Sequence, residues 1–136
     1  MEELESCLFC AIAAREALSH TIYEDAWCKV ILDINPIRRG HLLVIPKQHV
    51  EAIYELEQRS YQQLMEVVQK MSKRINQRLK PKKVGMAIVG FDIDHLHIHL
   101  IPLETYHDLT SQAYLDGTVQ QASRAELEKL AEQLHD

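Results

Sequence analysis

Three histidines alternate with aliphatic residues in the segment that runs from His95 through His97 to His99. In a β-strand, side chains two residues apart point to the same face. The spacing therefore predicts that the three imidazoles share one face, while the leucine and isoleucine between them point into the core. Polar groups on a buried strand cost free energy unless they are paired or functional, so this face is a candidate reactive site.

Three interpretations of this face compete: satisfied structural histidines, a zinc hydrolase in which all three histidines bind the metal, and nucleophilic catalysis by one histidine that the other two position. Imidazole suits nucleotidyl transfer because its neutral form is abundant at pH 7. One ring nitrogen can attack phosphorus while a hydrogen bond fixes the other, and water can then hydrolyse the phosphoramidate. A metal bound by all three histidines would occupy the nucleophile, which favours the third interpretation.

A cysteine pair, Cys7 and Cys10, lies near the start of the chain. A redox pair would be expected after a strand in a βαβ unit, and no strand is predicted before it. A structural zinc site needs four ligands, often two cysteines and two histidines, and His49 and His95 are the best candidates for the other two. The third cysteine, Cys28, lies in an apolar strand and is predicted to be a small core residue.

The chain has 136 residues, with fifteen basic and twenty acidic side chains and a formal net charge of −5. Its length favours a single domain over residues 1–136. The acidic balance argues against a nucleic-acid or membrane-surface partner. The N-terminus resembles no signal peptide and no run reaches the length of a membrane span, so a cytoplasmic protein with reduced cysteines is expected.

Hydrophobic patterning predicts an α+β fold with an antiparallel, mostly meander sheet of about five strands, one long helix and a C-terminal helix. The helices are expected on one face of the sheet. The third strand is nearly continuous in apolar residues, which predicts burial on both faces. The predicted strands span residues 21–24, 27–34, 41–46, 83–91 and 96–103, and the predicted helices span residues 11–18, 58–79 and 123–134.

Residues 95–101 resemble the His-φ-His-φ-His-φ-φ signature of the histidine-triad family, in which φ is an apolar residue. Residues 40–49, GHLLVIPKQH, are similar to the family's GHxLVIPKxH strand and turn. Residues 7–12, CLFCAI, resemble its N-terminal CIFCKI segment. These matches are in register from about residue 7 to residue 102, so the resemblance covers most of the chain.

The resemblance implies the histidine-triad fold, a homodimer and a purine nucleotide substrate. By position, His97 corresponds to the nucleophile, His99 to the phosphate-contacting histidine and His41 to a fourth histidine of the pocket. His95 completes the triad, and Asp33 corresponds to the acidic residue that binds the ribose hydroxyls. The full set of expected nucleotide-binding residues is Phe9, Ile12, Leu32, Asp33, Ile34, His97 and His99.

The resemblance also implies a structural zinc ion. In zinc-bearing members of the family, the cysteine pair joins a histidine after the Ile-Pro strand and the first triad histidine. Here these positions are Cys7, Cys10, His49 and His95, so all four ligands are present.

The sequence departs from the family pattern just before the triad. Gly90 is retained, but Phe91 stands where glutamine is usual and Asp92 where serine or threonine is usual. A carboxylate near a phosphate is repulsive unless it is protonated, turned away or paired. The contacts to the leaving group are therefore expected to differ from those of other members.

The resemblance implies an enzyme that cleaves a nucleoside-5′-phosphoryl bond through a covalent nucleotidyl intermediate on His97. The substrate could be a phosphoramidate, a mixed anhydride or a dinucleoside polyphosphate. The alternative is a zinc-stabilised purine-nucleotide-binding adaptor with little or no turnover, which the departures at Phe91 and Asp92 favour. A metallohydrolase that uses the triad as ligands is a third hypothesis.

Overall fold

One antiparallel sheet organises the computed structural model, which describes residues 7–110, 116–118 and 120–134. Within these ranges the strands are β1 (Thr21–Glu24), β2 (Cys28–Leu32), β3 (Leu42–Pro46), β4 (Lys83–Ala87) and β5 (Ile98–Leu103). Their order in the sheet is β1-β2-β3-β5-β4, and all neighbours are antiparallel. The predicted α+β class with a five-stranded antiparallel sheet is confirmed. The sheet follows chain order from β1 to β3, but β5 lies beside β3 and leaves β4 at the edge.

The helices are α1 (Leu8–Ala13), α2 (Gln58–Leu79) and α3 (Arg124–Leu134), with 3₁₀ turns at Ile53–Glu55 and Tyr106–Asp108. Helix α2 has the bounds that its apolar stripe predicts, and it ends because Lys80 takes a left-handed conformation with φ 53° before a proline. Helix α3 begins after Ser123, whose hydroxyl accepts a hydrogen bond from the Glu126 amide at 3.2 Å.

Two apolar cores cover the two faces of the sheet. On one face, α2 side chains such as Met71 pack against Val30, Val44 and Ile98. All five residues of β3 are buried, as its continuous apolar sequence predicts. On the other face, the core consists of Cys7, Phe9, Ile12, Ile31, Leu43 and Ile45.

Helix α1 contradicts two predictions. It lies on the face opposite α2, whereas the helices were expected on one face. It also begins at Leu8 rather than residue 11, because the Cys7 sulfur accepts a hydrogen bond from the Cys10 amide and caps the first turn. It ends at Ala13, and Arg15 then takes a left-handed φ of 64° that stops the helix from continuing to residue 18.

The strands that carry the loop and histidines of the candidate site are shorter than predicted. Strand β4 ends at Ala87 rather than residue 91, and Gly90 beyond it has a φ of 70°. Strand β5 begins at Ile98, so His95 and His97 precede it. The alternation of faces nevertheless extends back through this segment, since Leu96 belongs to the same core as Ile98 and its amide donates to the Val50 carbonyl at 2.7 Å.

In the part of the chain that the structure describes, no helix combines the length and apolar character needed to cross a bilayer.

Candidate active site and metal centre

A cleft of about 700 Å³ opens on the face of the sheet that carries α1. Its walls come from α1, the end of β2 with the following turn, the loop after β4, and β5. All the predicted nucleotide-binding residues line this cleft: Phe9, Ile12, Leu32, Asp33, Ile34, His97 and His99. His95 and His41 do not line it; both are buried, and each contacts one of the cleft histidines.

A backbone carbonyl fixes the orientation of His97. Its Nδ1 atom lies 2.7 Å from the carbonyl oxygen of His95. Because a carbonyl oxygen only accepts hydrogen bonds, Nδ1 must carry the proton, and Nε2 of the neutral ring keeps its lone pair. The Phe9 ring packs against the imidazole at a centroid distance of 4.8 Å and holds the other side of the ring. The result is a buried imidazole with one unprotonated nitrogen in the cleft.

The His41 and His99 rings form a hydrogen-bonded relay that starts from the backbone. The Ile37 amide donates to His41 Nδ1 at 3.1 Å, so the neutral His41 ring carries its proton on Nε2. That Nε2 lies 2.9 Å from His99 Nδ1 and donates to it. The proton of the neutral His99 ring is therefore on Nε2. Burial lowers the pKa of both His41 and His99, which favours the neutral rings that the relay requires.

Asp33 lies beside this relay. One carboxylate oxygen accepts a hydrogen bond from the Asn35 amide at 2.8 Å, and the other lies 3.5 Å from His41 Nε2. The carboxylate lines the cleft and retains acceptor capacity for a hydroxyl group.

An ion pair holds the loop that positions His41. Arg38 Nε donates to the buried carboxylate of Asp108 at 2.9 Å. The Glu104 amide donates to the other Asp108 oxygen at 2.9 Å, and this bond together with the Arg38 guanidinium lowers the pKa of the Asp108 carboxyl. The ion pair ties Arg38 to the turn after β5. The Ile37 amide that orients His41 belongs to the same loop.

A second cluster lies behind the cleft and can hold a metal ion. The ligand atoms of Cys7, Cys10, His49 and His95 all lie within 4.8 Å of one another. The His95 Nε2 atom donates to the Pro46 carbonyl at 2.7 Å, so its Nδ1 keeps a lone pair, 3.4 Å from each of the two sulfur atoms. This arrangement of a ligand histidine on a backbone carbonyl is typical of metal sites.

Lys29 is a buried residue that the sequence analysis missed. Its ammonium group donates to the Ile12 carbonyl at 3.1 Å, at the C-terminal end of α1, where a positive charge is favourable. It thus ties α1, with its cleft and cysteine side chains, to strand β2. Its position inside an otherwise apolar strand is the feature of the sequence that could have indicated a buried, paired lysine.

The geometry agrees with comparisons to known proteins. The HIT domain model matches residues 14–106. The chain belongs to the HIT domain family. It is 34% identical to Protein hit of Bacillus subtilis over an alignment of 105 residues, and the match covers 72% of this chain and 71% of that protein. It is also 34% identical over 98 residues to a Schizosaccharomyces pombe protein named adenosine 5′-monophosphoramidase, covering 71% of this chain and 74% of that one.

Among solved structures, the chain resembles a zinc-bound histidine triad family protein from Mycobacterium smegmatis. The TM-score is 0.69 at 29% identity, and the match covers 93% of this chain and 91% of the other. The family model begins at residue 14, so the cysteine pair and Phe9 lie outside the matched range, whereas this structural match spans nearly the whole chain.

The Gly90 backbone is a tight neighbour of His97, which yields a prediction. A Cβ atom at Gly90 would lie 3.3 Å from His97 Cε1, and its φ is 70°. We expect Gly90→Ala to shift the His97 ring resonances in ¹H–¹⁵N NMR spectra and to lower the free energy of unfolding by about 1–2 kcal/mol. Gly117→Ala is the matched control, because φ is 72° there and, within the described ranges, no atom beyond the adjacent residues lies within 4 Å of the added Cβ position. It should lose similar stability and leave the His97 signals in place; unchanged His97 signals in Gly90→Ala would contradict the predicted contact.

Proposed function

We propose that this chain is a nucleotide hydrolase or transferase that cleaves a nucleoside-5′-phosphoryl bond, with His97 as the nucleophile. The observation that carries this proposal is the hydrogen bond between His97 Nδ1 and the His95 carbonyl. It leaves Nε2 as the unprotonated atom in a cleft that the Nε2–H group of His99 also lines. The S. pombe relative named adenosine 5′-monophosphoramidase supports the same class of reaction.

The cleft suits the parts of a purine nucleotide. Apolar side chains at Phe9, Ile12, Leu32 and Ile34 offer a surface for the base, and Asp33 offers carboxylate oxygens to the ribose hydroxyls. The remaining proton of His99 can be donated to a phosphate oxygen, where it stabilises the charge that develops during transfer. Because the hydrogen bonds preset both rings, little reorganisation is needed when the substrate binds.

The proposed reaction has two balanced steps. His97 Nε2 attacks the α-phosphorus, the bond from phosphorus to the leaving group breaks, and the leaving group takes up a proton from water. Water then attacks the nucleotidyl-histidine, the phosphorus–nitrogen bond breaks, and the mononucleotide, the free imidazole and one proton are released. The His95 carbonyl keeps the proton on Nδ1 throughout and stabilises the positive charge of the intermediate.

Two alternatives are less well supported. A metallohydrolase would need the three triad rings to share one ion. However, His95 Nδ1 faces the cysteine sulfurs and His97 Nδ1 is occupied by a carbonyl. The observation in favour of the second alternative, a nucleotide-binding adaptor, is that Phe91 and Asp92 line the cleft without supplying hydrogen-bond donors from their side chains.

We further propose that the metal at the second cluster is zinc. Tetrahedral zinc bound by thiolate and imidazole places sulfur and nitrogen ligands about 3.5 Å apart. The sulfur–nitrogen distances to His95 are 3.4 Å, and the distance from Cys10 to His49 is 3.1 Å, so these three pairs lie within a few tenths of an ångström of that value. All four ligand atoms lie within 4.8 Å of one another, which suits one shared ion. Zinc would tie α1 to the loop after β3 and to His95, whose carbonyl orients the nucleophile.

We propose that two copies of the chain form a homodimer through the exposed edge of β4. This strand lies at the end of the sheet, where backbone groups on one side have no partner strand within the described residues. Met86, Ile88 and Val89 are 44–57% exposed along the strand and the loop that follows it. Pairing of β4 with its copy would cover this apolar edge and continue the sheet across two chains.

The proposed nucleophile can be tested with His97→Asn. We expect a loss of about a thousandfold or more in kcat for an adenosine 5′-phosphoramidate, with nucleotide binding retained. Mass spectrometry of the wild-type protein quenched during turnover should show one adenylyl group on the peptide that contains His97. His20→Asn, at an exposed histidine outside the cleft, is the control and should keep full activity. Turnover by His97→Asn at the wild-type rate would exclude the mechanism. If the wild-type protein itself binds the nucleotide but does not hydrolyse it, the adaptor is favoured.

Metal analysis tests the zinc proposal. We expect about one zinc per chain in the wild-type protein and in His20→Asn, and a loss of most zinc in Cys10→Ser and His49→Asn. Chelation should lower the thermal midpoint of the wild-type protein and have little effect on the two ligand variants, because they have already lost the ion. Equal zinc contents in all four proteins would show that the metal binds elsewhere.

Sedimentation tests the proposed dimer. We expect the wild-type chain to sediment as a dimer at micromolar concentration and Met86→Glu to sediment as a monomer, since the charge would face an apolar copy of itself. Tyr54→Glu introduces the same charge at an exposed residue in the first 3₁₀ turn and should leave the dimer intact. A wild-type monomer would refute the proposal.

A further inference from the structure

The charges that line the cleft restrict what can leave during the proposed reaction. Among the described residues, the cleft has two carboxylates, Asp33 and Asp92, and no lysine or arginine. The histidines can attack the α-phosphorus of a substrate and donate a hydrogen bond to its phosphate oxygens. A leaving group with further phosphates would bring several more negative charges into a cleft that has no lysine or arginine side chain to neutralise them.

The two carboxylates differ in their surroundings. Asp33 accepts a hydrogen bond from the Asn35 amide and lies beside His41, so its carboxylate is already engaged by neighbouring groups. Asp92 is exposed and makes no hydrogen bond or ion pair with any residue in the described ranges. Its charge is therefore available to a ligand.

Asp92 also lies close along the chain to the reacting atoms. It follows Gly90 by two residues, and a Cβ atom at Gly90 would be 3.3 Å from His97 Cε1, the ring carbon bonded to the attacking nitrogen. The loop that carries Asp92 thus passes directly against the nucleophile. A group that leaves from the phosphorus atom at His97 departs into the same cleft that this loop borders.

Phe91 adds a second feature that attracts cations. Its side chain is 91% exposed, although it lines the cleft and follows Gly90 directly. An exposed aromatic ring next to an unpaired carboxylate offers a cation both the negative face of a π-system and a formal charge. Neither side chain supplies a donor for an anion.

We propose that Phe91 and Asp92 bind the leaving group of the substrate, and that this group carries an ammonium or guanidinium charge. This inference rests on the proposed function and narrows it to phosphoramidates or related conjugates with a cationic leaving group, against dinucleoside polyphosphates. In the transfer step, the bond between phosphorus and the leaving nitrogen breaks, and this nitrogen takes up a proton from water. The distal cation stays charged throughout and interacts with Asp92.

Three matched substrates test the inference. They are adenosine 5′-phosphoramidates of 1,5-diaminopentane, pentylamine and 5-aminopentanoic acid, whose leaving amines differ only at the far end of the chain. We expect the wild-type kcat/KM to fall from the cationic to the neutral to the anionic substrate, with about a three- to tenfold ratio between the first two. Higher salt should reduce this ratio.

Two asparagine variants separate a local contact from the effect of net charge. Asp92→Asn should bring the ratio of cationic to neutral kcat/KM close to one. Asp94→Asn removes the same charge from the same loop, but Asp94 is exposed and does not line the cleft, so the ratio should remain at its wild-type value. Phe91→Leu should lower the ratio in part, because it removes the ring and keeps the bulk.

The outcomes distinguish failure of the inference from failure of the proposed function. The inference is overturned if the wild-type kcat/KM is equal for the cationic and neutral substrates, or if Asp92→Asn and Asp94→Asn have equal effects. Hydrolysis of the pentylamine substrate would still support the proposed function in that case. If none of the three is hydrolysed, the proposed function fails. In that case, equilibrium binding of the same compounds to His97→Asn tests cation recognition. Affinities that do not depend on the distal charge overturn it, whereas a preference for the cationic compound that is lost on adding Asp92→Asn supports it.

Discussion

The hydrogen bond from His97 to the carbonyl of His95 is the interaction on which the site depends. It spans two residues of one chain segment and selects which ring nitrogen carries the proton. The same residue, His95, uses its own ring in the other direction, donating from Nε2 to Pro46 and presenting Nδ1 to the cysteines. The proposed nucleophile and a proposed metal ligand are therefore only two residues apart, and their side chains lie on the same face.

Backbone groups set the tautomers of His41, His95 and His97 directly, and that of His99 through His41. The Ile37 amide orients His41, and the His41 ring in turn orients His99. The carbonyls of Pro46 and His95 orient the rings of His95 and His97. Backbone donors and acceptors in a packed fold move little, so the proton positions are established before a substrate binds. The Arg38–Asp108 ion pair and the Lys29 bond to α1 extend this support to the loop and the helix that frame the cleft.

Burial on both faces of the sheet makes this precision possible. Helix α2 and its core cover one face, and α1 with a smaller core covers part of the other, so the histidines lie between packed layers rather than in open solvent. Desolvation lowers the pKa of His41 and His99 and keeps these rings neutral. The cleft remains where α1 leaves that face uncovered, which is why Phe9 and Ile12 belong both to the second core and to the cleft wall.

Local periodicity in the sequence determined the α+β class, the bounds of α2 and the shared face of the triad, because these features depend on residue spacing. The grouping of the cysteines with His49 and His95 followed from zinc-ligand chemistry and from the family resemblance, and the structure brings these four residues together. Only the tertiary structure decided the position of β5 between β3 and β4, the place of α1 on the second face, the burial of Lys29 and the approach of Gly90 to His97. Each of these joins segments far apart in the chain, and their contacts depend on how two cores close around one sheet. The proton positions on the rings belong to the same class, since a histidine in a sequence has two equivalent choices until a backbone partner removes one.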